Sequence, residues 1–225
     1  MTRRPKHLAD FWAQDRGLGW VLALLTIAIF IVAPIVRDVQ FAILLFTLLF
    51  AGILLWNVRT MGVTRQVRFF SYLIVFANVT VQIIAIFRPW SILAMAEPIL
   101  GAITLMLWDA VILFRVFGPG SISAHRIMGA VAAYLIAGLV FSDLYQVVDM
   151  FSRGSLSLLS QPMPPTKEHF IYFSFVTLST VGYGDILPVH PIARSLATLE
   201  ALVGQLYPTI FIGRLLSLGP WTKAD

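Results

Sequence analysis

No cysteine occurs in this chain of 225 residues. That absence excludes a disulfide framework, a zinc–thiolate site and a cysteine nucleophile. Charge is scarce as well: 12% of residues are Asp, Glu, Lys or Arg, against about a quarter in an ordinary soluble domain. Hydrophobic residues make up 59%. This balance excludes both a soluble globular fold and a disordered chain. A net charge of +5 raises nucleic acid as a partner, but the basic residues stand singly between apolar runs. Loops between membrane spans carry their charge in that way. The expected partner is a lipid bilayer, with no nucleic acid.

What the sequence has in abundance is long uncharged runs. A membrane helix needs about 20 apolar residues to cross a hydrocarbon core roughly 30 Å thick. Six candidates lie at 18–36, 40–58, 69–87, 89–114, 127–148 and 195–213. The first follows Arg3, Arg4 and Lys6, yet it is longer than a signal-peptide core and no small-residue cleavage site follows, so it is read as an uncleaved span. Asn78 and Thr80 complete a glycosylation sequon inside the third run, where it is a chance match. With the N-terminus inside, eleven Lys and Arg fall on inner segments and five on outer ones (Arg37, Arg88, Arg153, Lys167, Arg194). Both termini are therefore expected in the cytoplasm.

One apolar segment, 170–179, is too short to cross and follows Pro162, Pro164 and Pro165. Thr166 suits a helix start, and Glu168 suits the positive helix end. A short helix that enters the membrane and turns back is tolerated only inside protein or against a watery cavity. Its tip, 177–185, reads Thr-Leu-Ser-Thr-Val-Gly-Tyr-Gly-Asp. At Thr177, Thr180, Gly182, Tyr183, Gly184 and Asp185 the chain resembles the tetrameric potassium channels. The resemblance runs from about Ser123 to Leu218, in the order outer helix, pore helix, filter, inner helix. Nothing comparable identifies residues 1–118.

The residues of the tip suit that role. A potassium ion sheds water only where equivalent oxygens replace it, and successive backbone carbonyls supply them if all aim at one axis. Few L-residues tolerate the angles this needs, so Gly182 and Gly184 fall where a positive φ is useful. Carbonyls of Thr180, Val181, Gly182 and Tyr183, with the Thr180 hydroxyl, would form stacked oxygen rings, and the Val181 and Tyr183 side chains would turn away into packing. Gly184, Asp185, Tyr172 and Thr177 are the expected supports. Tyr172 is expected to hydrogen-bond Asp185, and Val176 stands where some family members place a carboxylate. One copy of the loop supplies one quarter of each ring, so the resemblance implies a homotetramer.

Three further features concern the last spans. Glu200 lies deep in the sixth run, where an ionised carboxylate is costly. It is expected to be neutral, or satisfied by pore-helix hydroxyls such as Ser174 or Thr177, with a cation-binding cavity role as the alternative. Gln205 is the better candidate to line the cavity. Gly204 aligns with the hinge glycine of the resembling channels, and Pro208 cannot bond its carbonyl. Gly204 and Pro208 are thus a candidate gating hinge. In the fourth run, Glu97 and Asp109 are buried acids, and Pro98 is expected to break the helix. The arginines of the family's voltage-gated branch are absent there, since none occurs between Arg88 and Arg115. The four histidines lie near membrane boundaries or in the N-terminal tail, without metal-ligand spacing.

The reading is an all-α polytopic membrane protein with six transmembrane helices plus a re-entrant pore helix and selectivity-filter loop. Residues 1–118 form a four-helix peripheral transmembrane domain, 119–219 the pore domain and 220–225 a short cytoplasmic tail. Gly118 to Gly120, around Pro119, form the junction. Expected function is passive, potassium-selective conduction with little voltage dependence, without enzymatic chemistry or a cofactor, in a prokaryotic inner membrane. A membrane-embedded enzyme would need a nucleophile or metal cluster at one depth, and none converges. A non-conducting sensor or regulatory subunit on a channel-like pore domain is the alternative.

Overall fold

The computed structural model describes residues 17–32, 44, 47, 48, 51, 52, 65–87, 91–118, 124–159 and 165–218. Most of the expected run 40–58, the junction beyond Gly118 and the tail 220–225 lie outside the described residues. Helix α1 (Gly17–Ile27) passes into a single π-helical stretch, Ala28–Val32. Helices α2 (Arg65–Phe87), α3 (Ser91–Val116) and α4 (Ala124–Phe151) follow. Strand β1 (Leu156–Leu158) leads to the short helix α5 (Lys167–Leu178). Strand β2 (Ile186–Pro188) precedes the last helix, α6 (Pro191–Leu218).

Among the described residues, three helical stretches are long and apolar enough to cross a membrane: Met95–Val116, Ala124–Phe151 and Pro191–Arg214. Val21–Ile31 and Arg68–Ile84 are shorter apolar helical stretches. Helix α5, at 12 residues, is too short to cross. The molecule is mostly helical, as read, with one short ribbon that the sequence reading did not include. Strands β1 and β2 form an antiparallel ribbon that pairs Leu156 with Pro188 and Leu158 with Ile186. Three-residue strands fall below what alternation of apolar and polar residues reveals in a sequence. The expected break at Pro98 is also corrected: α3 runs through it. Proline removes one backbone donor, and the rest of the helical ladder carries the turn.

Helix α4 is the centre of the packing. Its Ala130, Ala132, Ala133, Ile136 and Val140 meet Val21 and Leu25 of α1, Val75 of α2, and Trp108, Ile112 and Val116 of α3 in one buried cluster. Small residues predominate on this face of α4 because lipid tails give helices no hydrophobic reason to associate, so close backbone approach and dispersion must hold them. A second cluster joins Phe141 and Tyr145 of α4 to Leu156, Phe170, Phe173, Ile186 and Ala193. It seats α5 and the ribbon against the far end of α4.

Candidate functional site

Helix α5 is anchored along its whole length. At its start the Thr166 N–H donates to His169 Nδ1 at 3.0 Å, so His169 serves as a cap. Lys167 Nζ donates to Glu97 Oε1 of α3 at 2.9 Å, which gives one of the two acids of that helix a partner. Asp109 differs: its Oδ1 is buried without a hydrogen bond among the described residues. Midway, Ser174 Oγ contacts both the Gly138 carbonyl and Glu200. Phe175 lies over Gly138, where an added Cβ would come within 2.8 Å of its ring, and meets Phe30 of the π-helical stretch at 5.9 Å. At the end, Tyr134 Oη donates to the Leu178 carbonyl at 2.9 Å.

Beyond that end the backbone turns in an unusual way. Thr180, Gly182 and Gly184 have φ of 59°, 58° and 78°, whereas the intervening Val181 and Tyr183 are not in that region. Ordinary extended chain turns successive carbonyls to opposite sides, and alternation of left- and right-handed residues turns them the same way. The hydrogen bonds show which way. The N–H groups of Val181 and Gly182 both donate to the Val176 carbonyl, at 3.0 and 3.3 Å, and Thr180 N–H donates to the Thr177 carbonyl at 2.9 Å. In a planar trans peptide the C=O points opposite to the following N–H. The carbonyls of Ser179, Thr180 and Val181 therefore face away from α5, toward the open side. Such a row offers neutral oxygens to a cation that has shed its water. No neighbouring atom lies within 4 Å of a Cβ built on Gly182 or Gly184, so their glycines answer to φ, not to crowding.

The outer end of this loop is tied at three points. Tyr172 Oη donates to Asp185 Oδ2 at 2.8 Å, the bond expected from the sequence. Asp185 Oδ1 accepts the Ile186 N–H at 3.1 Å, and the Asp185 carbonyl accepts the Leu159 N–H at 3.0 Å. The ribbon thus fixes the segment that leaves the loop. Val181 and Tyr183 are 53% and 70% exposed on the single chain, so the packing expected around them does not come from this chain.

On α6, Glu200 is fully buried and accepts the Tyr145 hydroxyl at 2.7 Å. Of the two hydroxyls expected to satisfy it, Ser174 does, while Thr177 engages Thr180 through its carbonyl. Gln205 and Pro208 are exposed, and Gly204 is buried. A Cβ at Gly204 would overlap the Leu178 carbonyl oxygen, so this glycine lets α6 cross the end of α5 at backbone contact. Helix α6 continues through Pro208. Leu199, Leu202, Leu206 and Ile210 form an exposed stripe along it.

Sequence reasoning did not single out Tyr134, Tyr145, Gly138 or Lys167, all of which hold α5. Nor did it foresee the positive φ of Thr180, because a β-branched residue is among the least suited to it. The only trace of Tyr134 and Tyr145 in the sequence is a hydroxyl within an apolar run.

A comparison with known protein families falls on the same part of the chain. The ion channel family model matches residues 129–218, which take in α5, the loop and α6. The chain is 30% identical over 125 residues to Protein LctB of Bacillus caldotenax, covering 53% of this chain and 87% of LctB. It is 34% identical over 71 residues to the inward rectifier potassium channel Kirbac3.1 of Paramagnetospirillum magnetotacticum, covering 30% of this chain and 24% of Kirbac3.1. No solved structure matches. The family points to a channel rather than an enzyme. With LctB matched over most of its length, and the ion channel family model lying on the anchored helix and its loop, the chain belongs to an ion channel family.

Proposed function

We propose that this protein conducts potassium passively and selectively through a pore built by four copies of the chain. The observation that carries the proposal is the alternation of positive φ at Thr180, Gly182 and Gly184, with the Val181 and Gly182 amides turned back to Val176. It turns the Thr180 and Val181 carbonyls to the open side, and in this reading they serve as ion ligands together with those of Gly182 and Tyr183, with the Thr180 hydroxyl below them. Four loops around an axis complete the rings. The exposed Val181, Tyr183 and α6 stripe then pack against neighbouring copies, which accounts for so much apolar surface beside the loop. The negative end of α5 faces the central cavity, and Asp185 adds charge at the outer mouth.

In this reading six helices cross the cell membrane with both termini in the cytoplasm. Residues 1–118 are peripheral and 119–219 form the pore. Helix α3 carries no arginine before Arg115, so opening depends little on voltage. The test is purified protein in proteoliposomes under a potassium gradient. Potassium and rubidium enter and sodium is largely excluded. Equal sodium and potassium permeability defeats the selectivity, and absence of any flux favours the non-conducting subunit.

A further inference from the structure

Glu200 sits where a charge is hard to account for, and the hydrogen bonds around it can be counted. Its Oε2 accepts from Tyr145 Oη at 2.7 Å, and its Oε1 meets Ser174 Oγ. Ser174 Oγ also lies 2.6 Å from the Gly138 carbonyl oxygen. A serine hydroxyl has one proton, and a carbonyl or an ionised carboxylate only accepts. With Glu200 ionised, Ser174 must serve two acceptors with one proton, so one contact is left between two lone pairs. With Glu200 as the acid, each contact has its proton: Tyr145 donates to Oε2, Oε1–H to Ser174, and Ser174 to Gly138. The titratable groups facing this site from α4 are the phenols of Tyr145 and Tyr134.

We propose that Glu200 is a positioning residue for conduction that works as a neutral acid. Its proton directs a hydrogen-bond chain that joins α6, α5 and α4 behind the filter. The chain enters α5 at Ser174, one helical turn before Leu178 and two residues before Val176, whose carbonyl holds the Val181 and Gly182 amides. Rotation of α5 at Ser174 therefore moves the acceptor that orients the filter backbone. This role rests on the channel reading, whereas the protonation itself does not.

The test uses the full chain in liposomes. Infrared spectra of the wild type show the C=O stretch of a buried carboxylic acid, and Glu200→Gln removes it. Glutamine keeps the pattern, since its amide N–H₂ donates to Ser174 and its oxygen accepts from Tyr145. Potassium flux and selectivity of Glu200→Gln stay within about twofold of wild type, whereas Glu200→Ala and Ser174→Ala lose roughly tenfold or more, as expected for a stranded buried partner. If the alanine variants fail to assemble, the glutamine variant and the infrared band still decide. No acid band in the wild type, or Glu200→Gln failing as alanine does, overturns the proposal. Wild-type protein that shows the band but passes no ion overturns the channel reading instead.

Discussion

At the residue scale the loop after α5 separates two reasons for a glycine. Gly182 and Gly184 have empty space where a Cβ would sit but hold φ of 58° and 78°. Their cost on substitution is therefore conformational, roughly 1–2 kcal/mol for an L-residue in the left-handed region. Gly182→Ala is expected to abolish conduction or selectivity, because in the proposed four-copy pore each copy incurs that cost. Rubidium uptake into liposomes reads it. Thr180 already holds φ of 59° with a branched side chain, which the amide bonds to Val176 and Thr177 impose on it. Tyr172→Phe tests the outer tie. Losing the phenol's bond to Asp185 removes one support of the loop, and single-channel openings are expected to shorten with selectivity retained at first.

At the scale of the elements, α5 is too short to be stable in lipid alone and takes its position from α3, α4 and α6. Lys167 fastens its start to Glu97, and Tyr134 and Gly204 fix its end. Contact with the Leu178 carbonyl changes what a hinge test must look like. Gly204→Ala drives a methyl into backbone, so it is expected to lower the melting temperature of the assembly and to suppress flux whether or not α6 bends. Pro208→Ala is the informative change, because Pro208 is exposed and its missing bond is the one to Gly204. If α6 gates by bending here, Pro208→Ala shifts open probability in single-channel records while selectivity is unchanged. Identical records would make the proline a static feature of the helix.

At the scale of the whole molecule, helices α1, α2 and α3 pack with α4 in one buried cluster. A voltage sensor needs charge that crosses the field, worth about 2.3 kcal/mol per charge per 100 mV. Helix α3 carries Glu97, which is paired with Lys167, Asp109, whose Oδ1 is buried, and Arg115 in its last turn. Conductance of the reconstituted protein is therefore expected to vary gently with voltage. A steep, saturating curve carrying several gating charges would contradict it.

The sequence by itself determined the membrane setting, the short anchored helix and the family. Each follows from local pattern: runs of uncharged residues set by bilayer thickness, three prolines before a 12-residue helix, and glycines at alternate positions of one loop. It also carried the Tyr172–Asp185 bond, since both partners lie in one contiguous motif. What only the tertiary structure decided joins residues far apart in the chain. Tyr145 and Glu200 are 55 residues apart, Tyr134 and Leu178 are 44, and Glu97 and Lys167 are 70. The ribbon between β1 and β2 belongs with them, as its strands are too short to show a period. A buried polar side chain announces in sequence that it needs a partner, because leaving it unpaired in lipid is costly. Which partner it takes depends on the rotation and depth of neighbouring helices, and those are fixed only when small residues such as Gly138 and Gly204 let the backbones meet.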